Sequence, residues 1–411
     1  MDYNLVDIEL YNRLQAEVFN DALYWGDASP AFAENNIAIC MASSNEYSPF
    51  ISVIMQSIMH NSKPGCNYDF NILHTEISPQ NQRLITESAS GFERVSLRFV
   101  NVDEYIRGLT FYTWAHFNKA TYYRLLVPYI FHRFPKVLYL DSDIVVNHDI
   151  SELFETDITG YLAGAARDTH MVGRCMEAPR HEAFEYCTKT LALEHPENYF
   201  QCGVLLYNIP EMLKAFPSGR LIIEGAARKL QWLDQDLLNI MLAGRVRLLP
   251  NHWNVMIFNN EKIDEYNLEG EIHLDYFTAR ENPRIVHYVG RNMPCYRPSV
   301  DMYWYFWPYA RNTPFYELLV SRMVDEKIRL AHIKEQQLKK LESKPAEKPV
   351  EKPVEEPAEE PGRKPVEKHG PDLKKTVKNR VVMPVVNLLL PRSSRRRQAV
   401  KRLYYRLRGW A

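Results

Sequence analysis

Leu138-Tyr139-Leu140-Asp141-Ser142-Asp143 decides how this chain is read. An apolar run from Lys136 to Leu140 stops at two carboxylates separated by one serine. Carboxylates cannot stay unpaired inside an apolar sheet without a large desolvation cost, so the strand must emerge at Asp141. Carboxylate oxygens at a strand end suit a hard divalent cation. The tripeptide alone is weak evidence, since most Asp-x-Asp pairs are solvated loop acids; its context carries the weight.

Outward from that strand, short apolar segments alternate with helical ones. Asn36–Met41, Tyr68–Leu73, Val95–Val100, Tyr161–Asp168 and Cys202–Asn208 read as strands. A segment with Phe50, Val53, Ile54 and Ile58 on one face reads as a helix, as do Gln80–Ala89 and Lys119–Ile130. This alternation predicts an α/β fold with a mostly parallel central sheet. Ligands in such sheets bind at the carboxyl ends of strands. Ala42–Tyr47, Asp141–Asp143 and Asp168 all lie at such ends, which places one site there.

Residues 1–35 read as a helical preface, and Thr313-Pro314 opens a helix covering 311–342. Residues 343–370 are low in complexity, with Glu-Lys-Pro-Val at 347–350 repeated at 351–354, and predict a disordered linker. From Pro371 to Ala411 there are twelve Lys/Arg against one acid, so the segment carries +11 and the rest of the chain −12. Arg395, Arg396, Arg397, Lys401, Arg402, Arg406 and Arg408 interleave with Leu403, Tyr404, Tyr405 and Leu407, ahead of Trp410. Cations mixed with aromatics suit an anionic membrane surface better than a nucleic-acid duplex, and no nucleic-acid partner is expected. Val381–Leu390 is too short to span a bilayer and is interrupted by Pro384. The polar start Met1-Asp2-Tyr3-Asn4 is not a secretory signal. Six scattered cysteines without CxxC spacing read as reduced thiols. The expected location is the cytoplasm, on the inner face of the cytoplasmic membrane.

The segment Phe117–Phe154 (FNKATYYRLLVPYIFHRFPKVLYLDSDIVVNHDISELF), with its Tyr-Arg helix ahead of the LDSD strand end, resembles the glycogenin-like and lipopolysaccharide-galactosyltransferase-like retaining enzymes of glycosyltransferase family eight. The resemblance covers residues of about 36 to 310. It implies a GT-A-type nucleotide-sugar-binding domain, a UDP-sugar donor (UDP-glucose or UDP-galactose), Mn²⁺ or Mg²⁺ as cofactor and a glycan or glycolipid acceptor such as a lipopolysaccharide core. Asp141, Asp143 and His287 become the metal ligands. Ala42, Asn45, Tyr47, Arg124, Ser142, Gln201, Gly203, Gly290 and Arg291, together with Asp141, become nucleotide-sugar contacts. Asp168, Asp234 and Gln235 become the catalytic group, with Gln235 beneath the anomeric carbon and Asp234 also read as a helix N-cap.

The chain departs from the family pattern in several places. Ser43 to Asn45 stand where acids are frequent, and Gln201 stands where asparagine is usual. In the late His-x-x-Gly-x-x-Lys-Pro-Trp motif, Met293 replaces the lysine and Cys295 the tryptophan. Those two replacements leave a second reading open: a catalytically inactive sugar-nucleotide-binding or scaffold protein.

Overall fold

In a computed structural model of the chain, the described residues are 9, 12–13, 28–114, 118–176, 182–257 and 268–342. Most of the helical preface and all of the linker and basic tail lie outside them, as does Phe117. Residues 28–35 form bends and contain no helix.

A seven-stranded sheet organises the fold, in the order β3-β2-β1-β4-β7-β6-β8. Its strands are β1 (Asn36–Ala42), β2 (Asn67–His74), β3 (Val95–Asn101), β4 (Lys136–Leu140), β6 (Ala163–Arg167), β7 (Phe200–Asn208) and β8 (Val246–Leu249). Four of its six pairings are parallel; β7 runs antiparallel to both neighbours, β4 and β6. The expected mostly parallel sheet is present. The continuous apolar runs of β1 and β4 fit strands buried on both faces. One core layer includes Tyr122, Leu125, Tyr139, Leu205 and Leu237; the other packs Phe50, Ile54, Leu138 and Leu140 with Val286 and Phe306.

A second sheet of three strands was not anticipated. It has the order β5-β10-β9, with β5 (Ile144–Val146), β9 (Val255–Met256) and β10 (Ile285–His287). Strands of two or three residues give too little periodicity to be read from sequence. This sheet is what brings His287 to Asp143: His287 pairs with Ile144, and Tyr288 N donates to the Asp143 carbonyl.

The expected helix at Lys119–Ile130 is two pieces, a 3₁₀ segment Lys119–Leu126 and one α-turn Val127–Ile130. Asn118 caps the first piece by accepting from Ala120 N. Pro128 has no N–H to return to residue 124, so a continuous α-helix would lose that bond. The Arg124 carbonyl accepts instead from Val127 N, one residue earlier, and from Tyr207 Oη at 3.2 Å. The helix beginning after Thr313-Pro314 is found at Tyr316–Glu342.

At the β1–β3 edge, Asp69 is fully buried in mid-strand. Arg98 Nη2 bonds both its oxygens at 2.7 Å, and Ala31 N donates at 3.0 Å. Arg98 thus crosses from β3 to a carboxylate with no access to water. Arg98→Ala leaves that charge buried and unpaired, so a loss of about 3–5 kcal/mol is expected. Urea unfolding of Arg98→Ala beside Asp69→Asn/Arg98→Leu checks this: the double variant, which removes both charges, recovers most of the loss.

Candidate functional site

β4 ends at Leu140, and the Asp141 amide donates to the Gly203 carbonyl at 2.8 Å. The strand therefore delivers Asp141 next to the mid-point of β7. Asp143 lies two residues on, where β5 begins. A cluster forms from Asp141, Asp143 and His287, whose potential ligand atoms all lie within 4.8 Å of one another. His287 Nε2 is 3.0 Å from Asp143 Oδ1 and 3.9 Å from Asp141 Oδ2. Two carboxylates and an imidazole converging at a strand end form a donor set suited to Mn²⁺ or Mg²⁺.

The electrostatics of the cluster follow from its burial. Desolvation, together with the nearby Asp143 charge, raises the Asp141 carboxyl above its usual range despite the pull of Arg124. Asp143 is desolvated too, but His287 and the Gly290 N–H outweigh this and hold it low. Desolvation works against a charged His287, and the two carboxylates reverse the balance and raise it. Gly290 N donates to Asp143 Oδ2 at 3.0 Å, and Gly290 has φ +67°, a conformation natural to glycine.

Gly203 is fitted to the same corner. A Cβ there would overlap the His287 ring and stand 2.7 Å from Asp141 Oδ2. Only a glycine lets β7 pass this close to the cluster.

Arg124 joins two acidic groups. Its Nη2 meets Asp141 Oδ1 at 2.7 Å and its Nε meets Asp234 Oδ2 at 2.9 Å. The guanidinium also donates to the Cys202 carbonyl and lies over the Tyr139 ring at 4.8 Å. It is 5% exposed, so both ion pairs act in low dielectric. Thr121 Oγ1 donates to the other Asp234 oxygen.

Asp234 and Gln235 sit at the start of the helix Leu233–Met241. The expectation that Asp234 caps this helix is corrected: Trp232 occupies the cap position and no side chain caps it. Asp236 reaches back instead and accepts from Trp232 N at 2.7 Å. Leu233 has φ +49°, a strained conformation for a leucine that turns the chain sharply before Asp234. Asp234 is thereby free of capping and faces Arg124.

Gln235 donates from Nε2 to Asp168 Oδ2 at 2.9 Å, and its Oε1 accepts from Cys202 N at 3.2 Å. Asp168 follows β6, and its Oδ1 accepts from His170 N and Met171 N, opening the helix Thr169–Met176. Asp168, Gln235 and, through Arg124, Asp234 are thus linked by hydrogen bonds to the same stretch of β7 that faces the Asp141–Asp143–His287 cluster.

The expected nucleotide contacts divide. Ala42 ends β1 and Ser142 lies between the two aspartates, both buried. Tyr47 is half-buried with its ring edge-on to Phe50 at 5.4 Å. The Asn45 amide oxygen accepts from Ser78 N and Asn81 Nδ2, both at 2.9 Å, so it holds the loop in place. Gln201 Oε1 is occupied by the Gly203 amide and Asn254 Nδ2. Arg291 is exposed, and its charge lowers the Tyr47 hydroxyl, although burial dominates and keeps that group high. Met293 and Cys295 are fully buried, so a lysine at 293 would carry its charge into the core.

Sequence reasoning missed Asn254, Tyr199 and Tyr186. A lone amide or tyrosine has no periodic signature; only the fold places Asn254 against His287. Asp236 was visible in the Asp-Gln-Asp motif but had no assigned role. It is fully buried and accepts from Tyr186 Oη at 2.5 Å and Tyr199 Oη at 2.6 Å.

The family model described as glycosyl transferase family 8 matches residues 38–294. The chain belongs to this family. Among its relatives is the glycosyltransferase GlyF of Streptococcus pneumoniae, 26% identical over 69% of this chain and 64% of its own length. A lipopolysaccharide 1,2-glucosyltransferase of Escherichia coli is 25% identical over 59% of this chain and 68% of its own. The chain spans about two-thirds of the length of these curated relatives. The apo structure of the bifunctional glycosyltransferase WbbM superposes with TM-score 0.66 at 30% identity, over 72% of this chain and 53% of that one. The galactosyltransferase LgtC, solved with donor and acceptor sugar analogues, gives 0.54 at 22% over 68% and 96%. The family-8 fold, of GT-A type, is the one expected from the sequence.

Asp236 supplies a test of the buried acids. Burial pushes its carboxyl up to about 6, against the hydrogen bonds from Tyr186 and Tyr199. A carboxyl raised in the folded state binds a proton there that the unfolded chain has lost between pH 4 and 6. Its stabilising contribution is therefore present below pH 4 and disappears as pH rises through 6, a change of roughly 3 kcal/mol. Melting temperature followed from pH 4 to 7 should fall less steeply for Asp236→Asn than for the unaltered protein.

Proposed function

We propose that this protein is a metal-dependent retaining hexosyltransferase that moves glucose or galactose from a UDP-sugar to a surface glycan such as a lipopolysaccharide core. The observation that carries this reading is the Asp141–Asp143–His287 cluster, coupled through Arg124 to Asp234 in a family-8 chain. The relatives' names, among them a lipopolysaccharide glucosyltransferase, supply the acceptor class.

In this reading the donor diphosphate lies at the carboxyl ends of β1 and β4, with the base beside Tyr47 and Arg291. Asp141, Asp143 and His287 would hold a divalent cation there, and when bound it would supply positive charge to offset the negative charge developing on the departing UDP. Arg124 contributes a second, fixed positive charge at the same end of the sugar. Asp234 accepts from sugar hydroxyls, and Asp168 orients the Gln235 amide beneath the anomeric carbon. An amide is a weak nucleophile, and here its oxygen already accepts from Cys202 N. A front-side displacement within a tight ion pair therefore fits better than a covalent glycosyl-glutamine.

The basic segment 371–411 is proposed as an anchor to anionic lipid, with 343–370 as its tether, so that the enzyme works over a lipid-linked acceptor. Among the described residues no helix is long and apolar enough to cross a membrane.

Asp143→Asn is expected to abolish sugar transfer and Mn²⁺-dependent UDP binding while the protein stays folded by circular dichroism. Transfer that continues unchanged in excess EDTA would sink the metal mechanism. For the anchor, the full chain should pellet with phosphatidylserine vesicles at low salt, and truncation at about residue 340 should release it with UDP-sugar hydrolysis intact. Both forms staying in the supernatant would rule the anchor out.

A further inference from the structure

Behind the metal cluster runs a buried relay whose direction can be deduced atom by atom. It starts at the Gly203 amide, which can only donate, and which donates to Gln201 Oε1. That atom must be the amide oxygen, so Gln201 has one orientation. Asn254 approaches the same oxygen at 2.8 Å and must present its Nδ2. The other end of Asn254 is then Oδ1, an acceptor, 2.9 Å from His287 Nδ1. His287 Nδ1 must therefore carry a proton, and Nε2, 3.0 Å from Asp143 Oδ1 and 3.9 Å from Asp141 Oδ2, is the ring atom that a cation would take in place of the proton shared with Asp143. Gln201, Asn254 and His287 are 6%, 1% and 1% exposed, so bulk water does not compete for these bonds.

We propose that Asn254 and Gln201 are positioning residues that hold the His287 ring by its Nδ1–H and aim Nε2 at the cation. This deepens the metal-centre reading and rests on it. Ligating histidines depend on such outer partners, and losing one typically lowers metal affinity by about 10- to 100-fold. The relay also assigns Gln201 a role other than sugar contact: its oxygen fixes the amide that orients the metal ligand. Glutamine at 201 has the reach to bond its neighbour's neighbour, Gly203 N, and Asn254 at once. Without Asn254, the His287 Nδ1–H loses its acceptor and the ring is no longer held with Nε2 toward the two aspartates.

The test uses the full chain and has two readouts. Long-range ¹H–¹⁵N spectra of the metal-free protein report which His287 nitrogen is protonated, with the signal identified by its loss in His287→Gln. Mn²⁺ affinity is read from the free-ion resonance in electron paramagnetic titrations without a donor. The unaltered protein should show a hydrogen-bonded Nδ1–H. Asn254→Leu should lose the shift of that hydrogen-bonded proton and weaken Mn²⁺ about 10- to 100-fold. Asn254→Asp keeps an oxygen facing Nδ1 but sets its other oxygen against Gln201 Oε1, so it should keep the Nδ1–H signal and lose less affinity than leucine, a ranking that a merely space-filling role would not give. Gln201→Met, which leaves Asn254 unanchored, should move both readouts in the direction of leucine by less. An unchanged Nδ1–H signal and unchanged Mn²⁺ affinity in Asn254→Leu overturn the proposal. Failure of the unaltered protein to bind Mn²⁺ removes the metal-centre reading instead, and the Nδ1–H spectra still decide the relay by themselves.

Discussion

The double ion pair of Arg124 is the interaction on which the site depends. One guanidinium meets Asp141 at the end of β4 and Asp234 at the start of a helix 93 positions later in the chain. Three carboxylates, at 141, 143 and 234, converge in a region that water barely reaches. Without a cation between them their mutual repulsion and desolvation would favour protonation or local unfolding. Arg124 neutralises this from within the protein, and burial keeps Asp234 high, at about 6, even so. The broken 3₁₀ geometry of residues 119–126 is part of the same arrangement, because it turns Arg124 inward while Tyr207 holds its carbonyl.

Much of this architecture was legible in the sequence, and the reasons differ from element to element. β1 and β4 are short, mostly apolar runs, and β2 places Tyr68, Phe70, Ile72 and Leu73 among polar residues, so the existence of all three could be read directly. Asp141 was legible because a buried strand cannot continue through an unpaired carboxylate, whereas Asp69 stays inside β2 because Arg98 pairs with it. β5, β9 and β10 were not, because strands this short carry no periodicity and exist only through one another's hydrogen bonds. The placement of Asp234 as a cap failed for a related reason: cap propensity is local, and the strained turn at Leu233 is imposed by packing and by Asp236.

The departures at Met293 and Cys295 also gain a physical meaning. Both side chains fill the core beneath the Gly290 turn, with Tyr288 and Phe306 in the same layer. The positive charge at that turn stands on its exposed side, at Arg291. Substitution of the two family residues thus alters how the turn is supported, while the Gly290 amide and His287 keep their relation to Asp143.

Asp143 and His287 meet although 144 positions separate them in the chain. They do so because β10, the last strand among the described residues, inserts between β5 and β9. A ribosome making this protein releases both aspartates long before the histidine. Until β10 emerges, the two acids stand without the histidine that completes their cluster. The Asp141–Asp143–His287 cluster is thus absent from any nascent chain shorter than about 287 residues.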